Sequence, residues 1–169
     1  RLNRLTQTLL GFAPDPIENI NRLTALAGEL TDASCALYNR LRDGMLHSWG
    51  QWHTPPDYNP VDEAEGHLCY DVIQRGVPGA LVVCNLQETP YAATDPNVCK
   101  FGLQTYIGHP VMFGEDYVGS LCVVFQRDYV PSDEDLKILG VVSSAIGVEE
   151  RRKAAIDALR ESEERYRLL

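Results

Sequence analysis

Residues 101–139 read FGLQTYIGHPVMFGEDYVGSLCVVFQRDYVPSDEDLKIL, and this stretch decides the fold. Residues 103–113 and 117–126 are two strand-length runs rich in β-branched and aromatic residues. The gap between them is short enough for a hairpin turn only. Ser132-Asp133-Glu134-Asp135 then opens a helix with the spacing of a capping box. Within 118–125 the apolar residues are successive rather than alternating, and 80–84 repeats the pattern. Strands of that kind are covered on both faces, so helices or loops are expected on either side of the sheet.

Upstream, residues 35–41 and 45–52 flank Arg42-Asp43-Gly44, and Asp-Gly between strand-like runs predicts a tight hairpin. The proline-rich segment 54–60 cannot continue a ladder and reads as a loop. A helix is expected over 61–75, stopped by Gly76, and a third strand over 80–86. Thr94-Asp95-Pro96 caps a short helical turn carrying Val98, Cys99 and Phe101 and closed by Gly102. At the start of the chain, Leu2, Leu5, Leu9 and Phe12 form one helical stripe, ended by Pro14. Asp15 is a good N-cap, with Pro16 at the first helical position, for a second helix whose Ile17, Ile20, Leu23, Ala27 and Leu30 face a core. The resulting order, with hairpins at both ends, is an α+β arrangement.

A chain of 169 residues is about one domain long and buries roughly 70% of its unfolded surface, enough for a real core without staples. A net charge of −9 argues against nucleic-acid and anionic-membrane partners, which need Lys and Arg surfaces. The five cysteines are odd in number and widely spread through apolar stretches, so they read as buried thiols in a reducing compartment, the cytoplasm. The longest apolar stretch, 138–148, is too short and too interrupted to span a bilayer. The chain opens inside a helical pattern without Met and reads as part of a longer protein.

The 101–139 stretch resembles the C-terminal half of a GAF domain, the small-molecule-sensing module of bacterial signalling proteins. Gly108, His109, Pro110 and Val111 match its Gly-x-Pro-hydrophobic motif, and residues 117–125 its following strand. The resemblance implies a central antiparallel sheet with the terminal helices on one face and pocket-covering segments, here 57–76 and 86–102, on the other. It also implies that strand 117–126 is interior, between 103–113 and 35–41. Candidate ligand-binding residues on this reading are Cys84, Asn85, Tyr91, Cys99, Phe101, Tyr106 and Cys122. The set is apolar and aromatic with few polar anchors, so a small neutral or aromatic ligand fits it better than a nucleotide, with Arg75 or Lys100 able to reach in. Trp49 and Trp52, with His47 and His53, fall on the second strand, expected at a sheet edge where aromatics shield a rim.

Catalytic signatures are missing: the chain has no phosphate-binding glycine loop, nucleophile elbow, zinc-protease motif or Cys-x-x-Cys. His67 and Cys69, one residue apart on an expected helix, point to different sides and make a poor shared metal site. No cysteine is followed by His and no Asp-x-Cys-Phe occurs, so the covalent bilin of phytochrome-type members is not implied. The cyclic-nucleotide constellation is not recoverable either. Free methionine sulfoxide reductases share the fold and use pocket cysteines, which makes a thiol-based redox enzyme working through Cys84 or Cys99 an alternative. A haem ligated by His109 stands against its reading as a hydrogen-bonded core residue, and the cofactor is left unknown.

The last helix continues past the domain. Ile138, Val142, Ala145, Glu149, Arg152, Ile156, Leu159, Glu163 and Tyr166 keep a heptad register that predicts a weak parallel coiled coil between two copies. Such flanking helices resemble the linkers of histidine kinases and diguanylate cyclases, and residues 161–169 resemble the lead-in to a PAS domain. The expected organisation is a linker helix over 1–14, a GAF domain over 15–148 and a signalling helix over 149–169. The expected role is a sensory module, with no catalysis of its own, in a signal-transduction protein such as a sensor histidine kinase. A dimerisation spacer with a filled pocket is the other non-enzymatic reading.

Overall fold

A computed structural model describes residues 1–169. Two helices lead the chain, α1 (Leu2–Leu10) and α2 (Pro16–Thr31), and Asp15 caps α2 by accepting the Ile17 N–H at 3.0 Å. Strands β1 (Cys35–Arg42) and β2 (Met45–Trp52) form the expected hairpin, with Asp43 and Gly44 both at positive φ (52° and 73°) in its turn. Then come β3 (Val61–Glu63), α3 (Leu68–Gln74), β4 (Leu81–Val83), a 3-10 turn at Leu86–Glu88, and the short helices α4 (Tyr91–Thr94) and α5 (Pro96–Lys100). The chain ends with the hairpin β5 (Thr105–Phe113) and β6 (Asp116–Phe125) and with α6 (Asp133–Arg167).

The six strands form one antiparallel sheet in the order β3-β2-β1-β6-β5-β4, which makes the fold α+β. The β6 strand is interior, paired with β5 and β1 as expected. Side chains alternate across it: Leu121, Val123 and Phe125 join Ala36, Tyr38, Ile107 and Val111 under α2 and α6, where Leu23, Leu139 and Ile146 are fully buried. On the opposite face Cys122 and Val124 join Leu37, Tyr106, Leu68, Val72, Leu86 and Val98 in a second core covered by α3 and α5.

Two elements differ from expectation. The helix expected over 61–75 is a strand followed by a shorter helix. Val61–Glu63 pairs with Met45–His47, because the open ladder groups of β2 are satisfied by an extended partner, and Gly66, at φ 91°, turns the chain before α3 starts. β2 is therefore paired on both sides over its first half, and Trp49 and Trp52 lie beyond that pairing. The strand expected over 80–86 stops at Val83, where Asn85 enters the left-handed region and Leu86 begins the 3-10 turn.

The capping box on α6 is present, with the Ser132 and Asp135 side chains each accepting the other's backbone N–H. The helix runs 35 residues. Over 138–149 the expected coiled-coil register is corrected, because Ile138, Val142 and Glu149 face the protein's own core, while Leu159, Glu163 and Tyr166 of the same register are exposed. Glu149 accepts from Asn19 at 3.3 Å and from Arg152 at 2.6 Å, and Glu150 accepts from the Tyr38 hydroxyl and pairs with Arg40 Nε at 3.0 Å. Among the apolar residues left exposed on α6 are Val141, Val148, Ala155 and Leu159, spaced at seven, seven and four. No helix is long and apolar enough to cross a membrane.

Candidate functional site

A cavity of about 150 Å³ lies between the sheet and the α3/α5 cover. Its floor is the face of the sheet opposite α2 and α6: Leu37 and Asn39 from β1, Tyr106 from β5, and Cys122 and Val124 from β6. Leu68 and Cys69 at the start of α3 form a wall, while Tyr58, Phe101 and Leu103 close the roof. His53 and Gln126 are exposed and form the rim.

Local structure fixes each wall. Asp95, buried, accepts the Leu68 N–H with one carboxylate oxygen and the Asn97 N–H with the other, both at 3.0 Å, so a single carboxylate pins the first turns of α3 and α5. His67 lies between Asp62 (3.2 Å) and Asp95 (3.5 Å). Lys100 donates to the Asp57 carbonyl at 2.6 Å and ties the 54–60 loop, with Tyr58, over the cavity. Tyr106 lies flat across the neighbouring Gly108, where an added Cβ would stand 2.4 Å from its hydroxyl. Only glycine leaves room for that ring.

The floor carries a chain of polar groups. Tyr58 and Asn39 each meet the Ser48 hydroxyl, at 2.7 and 2.6 Å. Asn39 Nδ2 donates to the Cys69 sulfur at 3.2 Å, the Tyr106 hydroxyl reaches the same sulfur at 3.1 Å, and the Cys122 sulfur stands 3.7 Å away. Hydrogen bonding with Cys122, joined by the bonds from Tyr106 and Asn39, outweighs burial and the nearby Asp95 charge and brings the Cys69 thiol down to about 7. Cys122 moves the opposite way, well above the ordinary thiol range, because it shares that contact and is buried beside the ionising Cys69. Burial, then the two sulfurs, also raises Tyr106. The Cys69 thiol is thus shifted toward ionisation by the groups that meet its sulfur, in a cavity whose walls mix apolar side chains with His67, Asp95 and Asn97.

Of the residues expected from sequence, Phe101, Tyr106 and Cys122 line the cavity. Cys84, Asn85, Tyr91 and Cys99 do not. Cys84 and Asn85 follow the end of β4 and are exposed, Cys99 is exposed with its thiol against the Ala92 carbonyl, and Tyr91, half-buried against the second core outside the cavity, donates to Asp71 at 2.5 Å. The expectation of five buried thiols is corrected to two, Cys69 and Cys122, with Cys35 half-buried. His109 lies on the other face of the sheet, 2.8 Å from Ser143 of α6, so it cannot serve a ligand in the cavity. His67 and Cys69 both border the cavity rather than diverging, because His67 is the extended N-cap (φ −78°, ψ 143°) and not part of the helix. No cluster of three His, Cys, Asp or Glu side chains is arranged to hold a metal ion. Sequence reading missed Asn39, Tyr58 and Cys69. The signal for Asn39 was present: in CALYNRLR it shares a face with the apolar Leu37.

The family model for the GAF domain matches residues 15–149. The chain belongs to the GAF family. Comparison with curated proteins gives no match in sequence. Among solved structures, this GAF domain is similar to that of an Acinetobacter phosphoenolpyruvate-protein phosphotransferase, at 13% identity and TM-score 0.77, over 92% of this chain and 95% of that one. It is also similar to the A. aeolicus nlh2 GAF domain in an inactive state, at 13% identity and TM-score 0.68, over 89% and 93%. A third similar structure is the free methionine-R-sulfoxide reductase of Neisseria meningitidis in complex with its substrate, at 14% identity and TM-score 0.71, over 88% and 85%. These likenesses establish the fold.

Proposed function

We infer that this GAF domain is a sensory module that takes a small, mainly apolar molecule with one polar end into the cavity over Tyr106 and Cys122. The observation that carries this reading is the cavity itself, roofed by Tyr58, Phe101 and Leu103, with Leu37, Leu68 and Val124 as apolar surface and polar groups around Cys69 and along the His67, Asp95 and Asn97 side. A cyclic nucleotide has no place there, since no arginine or lysine lines the space. The ligand's apolar body would meet Leu37, Leu103 and Val124, and its polar end the donors around Cys69.

Occupancy reaches α6 through the sheet. Leu37 and Asn39 touch the cavity while Tyr38, between them on β1, is bonded to Glu150 of α6. On this reading α6 pairs in parallel with that of a second copy through Val141, Val148, Ala155 and Leu159, and passes the signal to a PAS domain and a kinase or cyclase module in a cytoplasmic, bacterial histidine-kinase-type protein. Supporting it are the length of α6, the exposure of Val141, Val148 and Leu159, and the PAS-like residues 161–169.

Native mass spectrometry of the purified domain tests the ligand reading, alongside a thermal-shift series with small aromatic and aliphatic compounds. A retained molecule, or a rise in Tm that Val124→Trp abolishes by filling the cavity, is expected; a ligand at 100 times its Kd stabilises by about 2.7 kcal/mol. A response that survives Val124→Trp places the ligand elsewhere and refutes the site. A domain that neither retains nor responds to any compound is a dimerisation spacer.

A further inference from the structure

We propose that Cys69 and Cys122 are a peroxide-reactive dithiol, oxidised within the cavity to an internal disulfide. The two sulfurs come from different elements, the start of α3 and the middle of β6, yet stand 3.7 Å apart with both side chains buried. A shift of less than 2 Å brings them to bonding distance. Cys69 is set up as the nucleophile. Asn39 of β1 and Tyr106 of β5 donate to its sulfur, and its thiol ionises at about 7. Asp95 and His67 are the charged or titratable neighbours on the α3/α5 side, and Tyr58 faces the floor from the roof. Cys35, also on the cavity wall, is raised by burial to about 11 and is not a competitor.

The chemistry balances with a hydroperoxide as the oxidant. The Cys69 thiolate attacks one peroxide oxygen, the O–O bond breaks, and the second oxygen leaves as water after taking a proton, giving a sulfenic acid. Cys122 sulfur then attacks the sulfenic sulfur, the S–O bond breaks, and a second water leaves with the Cys122 proton. In sum, two thiols are oxidised to one disulfide while hydrogen peroxide is reduced to two waters. The cavity selects the oxidant by size: about 150 Å³ admits hydrogen peroxide and excludes a peptide disulfide such as that of glutathione. Oxidation also turns the Cys69 sulfur that Asn39 and Tyr106 hydrogen-bond into a weakly accepting disulfide sulfur, so the floor of the ligand site changes with redox state.

The proposal shares the cavity with the ligand reading for access, but its chemistry stands on the thiols. The test uses the domain with Cys35, Cys84 and Cys99 replaced by Ser, treated with hydrogen peroxide, denatured, alkylated and mapped by mass spectrometry. Loss of two hydrogens in a peptide pair joined through Cys69 and Cys122 is expected. Below pH 7, a thiol of pKa about 7 has ~30 times the thiolate of an ordinary one near 8.5, and its lower nucleophilicity takes back a factor of ~5. Peroxide should therefore consume Cys69 about sixfold faster than it consumes a free cysteine peptide, with the rate rising through about pH 7. Tyr106→Phe should move that pH profile upward, and Cys122→Ser should halt at a sulfenic acid trapped by dimedone. Cys69 and Cys122 both remaining alkylatable under peroxide that oxidises the peptide overturns the proposal, as does a Tyr106→Phe variant, folded by circular dichroism, with an unchanged profile. A domain that forms the bond yet binds no compound refutes the ligand reading alone; one that binds and forms no bond refutes this proposal alone.

Discussion

Glu150→Ala tests the link between the sheet and α6. The Glu150 carboxylate is buried, and one oxygen serves both the Tyr38 hydroxyl and Arg40 Nε. Alanine leaves the fully buried Tyr38 hydroxyl unpaired, a cost of about 1–3 kcal/mol. It also strips Arg40 of its countercharge, and breaking a buried pair costs about 3–5 kcal/mol in full. The Arg40 side chain is 20% exposed and keeps its bond to the Leu41 carbonyl at 3.0 Å, which places the total near the low end, about 3 kcal/mol. Tyr38→Phe removes one hydroxyl and leaves the ion pair, costing about 1 kcal/mol. In the double variant the two costs should fall short of additivity by about 1 kcal/mol. Urea unfolding reads all three: with a slope of about 2 kcal/mol per M, Glu150→Ala lowers the midpoint by about 1.5 M. A loss below about 0.5 M, or strict additivity with Tyr38→Phe, would refute the clasp and with it the route from β1 to α6.

Gly108→Ala should cost about 1–3 kcal/mol by driving a methyl group into the Tyr106 ring, and it should slow alkylation of Cys69 at pH 7 as Tyr106 leaves the sulfur; unfolding and labelling rates check both. Tyr38 and Tyr106 are raised well above their ordinary value, chiefly by burial, so the folded state holds protons that the unfolded state releases above about pH 10. Stability should therefore be intact below pH 10 and fall as pH rises beyond it, as urea midpoints across that range will show. Leu159→Glu should weaken self-association in sedimentation without altering the melting temperature, because Leu159 is exposed and outside both cores, whereas Leu139→Ala should cost about 2–5 kcal/mol of folding stability.

Strong local signals carried the fold from the sequence. Asp43-Gly44, the Asp15-Pro16 start and the Ser132–Asp135 box each determine backbone geometry within four residues, and each formed as read. Successive apolar residues in β6 correctly required cover on both faces. Val61–Glu63 was lost because its structure is set by the open side of β2, a partner distant in sequence that no local propensity reports. The site was half legible for the same reason. Tyr106 and Cys122 follow from strand alternation, while Cys84 and Asn85 were misplaced by extending β4 past Val83. Cys69 was missed because its value comes from Asn39, Tyr106 and Cys122, three residues on three strands. On α6, periodicity revealed a long helix but not which stripe faces home: Glu149 looked like a solvated seam position, and only Asn19 and Arg152 explain its burial.

The account rests on the cavity between the sheet and α3 being a ligand site coupled to α6, and an NMR titration of the isotopically labelled domain with phenol tests that most directly. Phenol pairs an aromatic body with one hydroxyl, matching a cavity that offers both apolar surface and hydrogen-bonding side chains. Saturable shifts are expected at the amides of Leu37, Asn39, Leu68, Cys69, Tyr106 and Val124, accompanied by shifts at Glu149 and Glu150 of α6. Saturable binding that leaves those floor residues unmoved, or no saturable shift at all, would contradict it.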